Sequence, residues 1–146
     1  MANSFEDRFT ALIVDGQTTK EFEYVREYTS RNSPVSNVMS MDMRCNTGGL
    51  TTGPKTKVAE VRAGAEMGFF SDRIGHPGPL AIYMSKAPGD VKSYDGSGAW
   101  FKIMELGAVI NGDKVSWPSD GLTKTMFKIP ATTRMSTLYL YLVSLC

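Results

Sequence analysis

The chain has 146 residues, 42% of them hydrophobic, with 16 Lys and Arg against 15 Asp and Glu and a formal net charge of +1. That length supports one domain, residues 1–146, with a substantial core, and so even a charge balance, with no basic stripe, argues against nucleic acid or an anionic membrane as partner. No apolar run approaches the roughly 20 residues of a membrane span, and the opening MANSFEDR is polar and acidic, unlike a secretory signal.

In chain order, FTALIV at residues 9–14 reads as a strand that ends at the turn Asp15-Gly16. Residues 22–26, FEYVR, alternate apolar and polar and predict a second, half-buried strand or extended segment. Tyr28 lies in the surface loop that follows. Residues 35–43 resume as a strand, which puts Met39, Met41 and Met43 on one face by the period of two. A methionine row of that kind is usually core filler; the other reading is soft thioether ligation of copper(I). After a Gly/Thr/Pro loop at 45–55, residues 57–61 alternate as a half-exposed strand, and Met67-Gly-Phe-Phe leads to the stretch GHPGP at 75–79.

His76, in that stretch, is the only histidine. Its flanking prolines lower the entropy cost of holding it in place, and imidazole is both an acid or base near neutral pH and a common metal ligand. One ligand does not make a metal site, so the residues alone read it as an ordinary loop histidine at the mouth of a hairpin. The arms of that hairpin are LAIYM at 80–84 and WFKIM at 100–104, with Tyr94 on the surface of the loop between them. Trp100 and Trp117 sit in strand runs and are assigned to the core. Asn111-Gly112 is a strong hairpin signal, residues 124–129 form a further strand stopped by Pro130, and the apolar run 138–146 reads as a buried final strand. No 3.6-residue apolar period is sustained, so the pattern predicts an all-β sandwich.

A resemblance joins these pieces. HPGPLAIYMSKAP at 76–88 and GSGAWFKIMELG at 96–107 resemble the lytic polysaccharide monooxygenases of auxiliary activity family nine, formerly glycoside hydrolase family sixty-one. RNSPVSNV and MDMRCN between Arg31 and Asn46, VRAGAEMGF at 61–69, KTMFKIPATT at 124–133 and the opening FTALIVDG at 9–16 carry it in the same order. The resemblance implies an immunoglobulin-like or fibronectin-like antiparallel β-sandwich, incomplete toward the C-terminal end. It also implies copper as cofactor, cellulose or a related β-glucan as substrate, and an extracellular location. On residues alone, Cys45 and Cys146 are two thiols with no defined framework; the resemblance implies that they pair. A loop of about 100 residues would give about 4–5 kcal/mol in the chain-entropy model, in an oxidising compartment.

The resemblance also exposes departures. The family's copper brace takes the amino group and imidazole of an N-terminal histidine, plus an imidazole at the position of His76; here Glu6 falls where the first histidine would be. A carboxylate from Glu6 or Asp7 could ligate copper beside His76, though far more weakly than a brace. Tyr141, or Tyr139, is a remnant candidate for the family's axial tyrosine, and Tyr28 a candidate for a substrate-binding aromatic, against the plainer reading of a ring packed on its own loop. With the brace incomplete, the expected function is that of a family member inactive as written; the alternative is a non-catalytic sandwich that binds glucan or a protein partner.

Overall fold

The structure is a computed structural model in which residues 7–30, 33–131 and 139–141 are described. Its strands are β1 (Phe9–Val14), β2 (Gln17–Thr18), β3 (Glu66–Ser71), β4 (Leu80–Ser85), β5 (Trp100–Leu106), β6 (Val109–Asn111), β7 (Lys114–Ser116), β8 (Lys124–Lys128) and β9 (Tyr139–Tyr141). Among the described residues the helical turns are short 3-10 segments, and no helix is long and apolar enough to cross a membrane.

All pairings are antiparallel. One sheet has the order β2-β1-β3-β8, a second the order β5-β4-β9, and β6-β7 is a separate hairpin. The two larger sheets share one core: Phe9, Leu12, Met67, Phe69 and Phe127 come from the first, and Leu80, Ile82 and Met84 from the second. In β4 the residues at 80, 82 and 84 are buried while 81 and 83 are half-buried, the period-two pattern of a strand with one face inward. Phe69 stacks on Phe127 at 5.7 Å and meets Phe9 edge to face at 6.2 Å. The all-β sandwich predicted from the sequence is therefore what the chain forms.

Two predicted strands, 35–43 and 57–61, are absent, and 22–26, expected as a strand or an extended segment, is neither. Residues 22–26 make turns, because Phe22 adopts φ 54°, outside the extended region; their alternation reflects Tyr24 and Val25 resting on the core. Over 35–43, side chains take the backbone partners that a ladder would need. Asn37 Oδ1 accepts from Met39 N at 3.0 Å, and Ser40 caps a 3-10 turn, Met41–Arg44, by accepting from Asp42 N. The three methionines thus form no core-facing row: Met39 is 88% and Met41 52% exposed. Residues 57–61 lay Ala59 and Val61 on the core without joining a sheet.

Smaller differences follow from the same geometry. Trp100 and Trp117 are half-buried rather than core, and the Trp100 indole N–H donates to Gly96 O at 2.8 Å. The late hairpin pairs Asn111 with Lys114, so its two-residue loop is Gly112-Asp113, with Gly112 at φ 61° as a II′ turn requires. The β9 backbone pairs with β4 at Tyr83 to Ser85, covering the edge opposite β5.

Ile82 has no exposed surface and lies where the two sheets meet. Ile82→Ala should lower unfolding free energy by about 2–5 kcal/mol, read as a reduced urea midpoint, whereas Ile110→Ala, at a residue 73% exposed, should leave the midpoint nearly unchanged.

Candidate functional site

The His76 loop is built outward from a buried anchor. Ile74 is 5% exposed within the core. Its N–H donates to Leu122 O at 2.9 Å and its carbonyl accepts from Gly121 N at 2.8 Å. Two residues on, His76 has a side chain 71% exposed. Beyond it, Ser119 Oγ donates to Gly78 O at 2.6 Å, so the loop is pinned on both sides of the imidazole before the chain enters β4.

The imidazole has a specific partner. His76 Nδ1 lies 2.6 Å from Asp7 Oδ2, and Gly75 N donates to Asp7 Oδ1 at 2.8 Å. A carboxylate accepts, so the tautomer that satisfies it carries the proton on Nδ1 and leaves Nε2 as an outward lone pair. Asp7 is held in turn by its neighbour: Arg8 Nε donates to Asp72 Oδ2 at 2.8 Å, and Asp72 N donates to Arg8 O at 3.0 Å. The segment before β1 is thereby clasped to the segment before β4.

Of the residues singled out from the sequence, Glu6 and Cys146 lie outside the described residues. Tyr139 and Tyr141 are placed by backbone in β9, beside β4. Tyr28 is half-buried and meets Phe22 edge to face at 5.6 Å. Tyr94 is a correction: far from lying on the surface, it is 6% exposed. Its hydroxyl accepts from Gly98 N at 2.8 Å and pairs with Ser85 Oγ at 2.7 Å, and Ser85 Oγ also donates to Ala99 O at 2.8 Å. A phenol buried in this way must find such partners, and they tie the β4–β5 loop to the end of β4.

Arg26 was not legible as a site residue. Its Nη2 donates to Val91 O at 2.9 Å and Tyr94 O at 2.8 Å, across about 65 positions of sequence, so no local pattern announces it. Gly53 lets that contact form: a Cβ there would meet Lys92 O at 2.1 Å and the Arg26 guanidinium at 2.9 Å. Arg26 Nη1 also lies 3.8 Å from Cys45 Sγ. Burial pushes the Cys45 thiol pKa up, against the opposing pull of Arg26 and Arg44.

Among the described residues, the donors near His76 are its own ring and the Asp7 carboxylate. Asp7 engages the Nδ1 edge of the ring, the position of an orienting partner rather than of a fellow ligand, and Nε2 is the ring donor that remains. Among the described residues, no three His, Cys, Asp or Glu side chains are grouped to hold a metal.

This fold, with its clasped histidine loop leading into the central strand of the smaller sheet, is of the polysaccharide monooxygenase class. A crystal structure of a cellulose-active polysaccharide monooxygenase from M. thermophila superimposes with a TM-score of 0.67 at 26% identity, over 86% of this chain and 63% of that one. The sequence matches Auxiliary Activity family 9 (formerly GH61) over residues 7–141, and the chain belongs to that family. It is 48% identical over 128 residues to AA9 family lytic polysaccharide monooxygenase C of Emericella nidulans, covering 85% of this chain and 55% of the relative. It is 50% identical over 134 residues to AA9 family lytic polysaccharide monooxygenase G of Aspergillus tamarii, covering 86% and 41%. The chain thus spans about half the length of the curated relatives it matches.

Two measurements test this geometry. Asp7→Ala should cost about 1 kcal/mol of stability and speed amide exchange at Gly75 more than at residues of β3, as read by hydrogen-exchange NMR. In the reduced protein, Cys45 should alkylate at pH 8 more slowly than cysteine in a short peptide, because the thiolate is the nucleophile and the raised pKa keeps the thiol protonated; peptide mapping reports the site.

Proposed function

We propose that this chain is a β-glucan-directed sandwich of the monooxygenase family which, by itself, does not hold the copper on which the family's oxidative cleavage of cellulose depends. The observation that carries the second half is the ligand count: the chain has one histidine, and among the described residues no three His, Cys, Asp or Glu side chains are grouped around an ion site. A family copper centre draws on nitrogen donors converging on one ion, and here Asp7 engages Nδ1 of the sole imidazole, which leaves Nε2 as the one ring nitrogen able to ligate. Copper(II) accepts oxygen, but a single outward Nε2 provides neither the ligand number nor the fixed open geometry of a brace. Family membership and likeness to a cellulose-active structure support the first half. On the same resemblance, the setting is extracellular.

Calorimetric titration of the purified, untagged chain with copper(II), with electron paramagnetic resonance on the same samples, tests the copper half. The expected result is no site tighter than about 1 μM and no change on His76→Ala. Tight binding abolished by His76→Ala, with oxidised oligosaccharides released from cellulose under reductant, would overturn it. Co-sedimentation with microcrystalline cellulose tests the glucan half: retention is expected, and its absence would refute polysaccharide engagement.

A further inference from the structure

The turn at residues 37–40 and the 3-10 segment Met41–Arg44 present an apolar patch to solvent rather than to the core: Val38 is 72%, Met39 88% and Met41 52% exposed. The patch is held outward by its own backbone. Ser40 N donates to Asn37 O at 2.9 Å, Asn37 Oδ1 accepts from Met39 N at 3.0 Å, and Ser40 Oγ accepts from Asp42 N at 3.1 Å. With these bonds made, Met39 has no core position to fold into. Two other methionines behave in the opposite way: Met67 is 2% exposed and Met84 not at all, both inside the hydrophobic cluster, while Met126 on β8, at 40%, lies between.

We infer that Met39 and Met41 form a modification site at which hydroperoxides oxidise the chain selectively without unfolding it. The thioether sulfur attacks one peroxide oxygen; an S–O bond forms as the O–O bond breaks. Sulfur is oxidised by two electrons to the sulfoxide, and hydrogen peroxide is reduced to water, its proton moving through solvent. Sulfoxide formation makes an apolar side chain polar, which in a core would cost packing and desolvation but at an exposed turn replaces apolar surface with a well-hydrated group. The two classes of methionine are therefore separated both by access and by consequence. Oxidation of Met67 or Met84 requires the sandwich to open first, whereas Met39 reacts in the folded state.

The test is exposure of the intact chain to dilute hydrogen peroxide at neutral pH, with peptide mass mapping over time and circular dichroism on the same samples. Among the methionines of the described residues, Met39 should gain one oxygen first, ahead of Met41 and of Met126, and Met39 and Met41 should each react at least about tenfold faster than Met67 or Met84, since each 1.4 kcal/mol of required opening slows reaction tenfold. The β-sheet signal should stay unchanged, and Met39→Leu should abolish the fastest event while leaving that at Met41. Comparable rates at Met67 or Met84, or loss of sheet signal as Met39 reacts, would overturn the inference.

Discussion

The structure depends on the desolvation of one face of β4. Leu80, Ile82 and Met84 point from that strand into a file of rings formed by Phe9, Phe69 and Phe127 on the facing sheet. Burying a side chain of this kind contributes roughly 1.5–3 kcal/mol, and a one-residue slip of β4 would turn all three to the opposite face. That register is also what sets the position of His76, because the loop has only a few residues between buried Ile74 and buried Leu80 in which to cross the end of the sandwich.

The polar features around the core serve the same frame. Tyr94 carries its hydroxyl into the interior only because Ser85 and Gly98 satisfy it, and Arg26 binds the neighbouring carbonyls through a gap that requires glycine at position 53. Together they hold the long β4–β5 connection against the sheet it leaves. The Asp7 carboxylate does the same for the start of the chain's first strand. It is a clasp that also orients the imidazole, since engaging Nδ1 fixes the ring and leaves Nε2 as its remaining donor.

The fold and a metal centre place different demands on a sequence, and both are physical. A sandwich survives extensive sequence change as long as inward positions remain apolar and of similar volume, so fold similarity to a monooxygenase persists at 26% identity. A metal centre has no such tolerance, because ligand number and direction are discrete.

Much of this was legible in the sequence by itself. The alternation in LAIYMS, the apolar run FTALIV, the Asn111-Gly112 hairpin signal and the lack of any helical period determined an all-β fold, since each is a local pattern with one economical solution. The motif order around His76 pointed to the family. Only the tertiary structure decided that residues 22–26 and 57–61 lie on the core without joining a ladder, because alternation records contact with a core and not the presence of a hydrogen-bonded neighbour. It alone turned Met39 outward, buried Tyr94 and brought Asp7 to His76, 69 positions away in the chain. Contacts at that separation are set by how the two sheets close on each other, and no window of neighbouring residues contains that information.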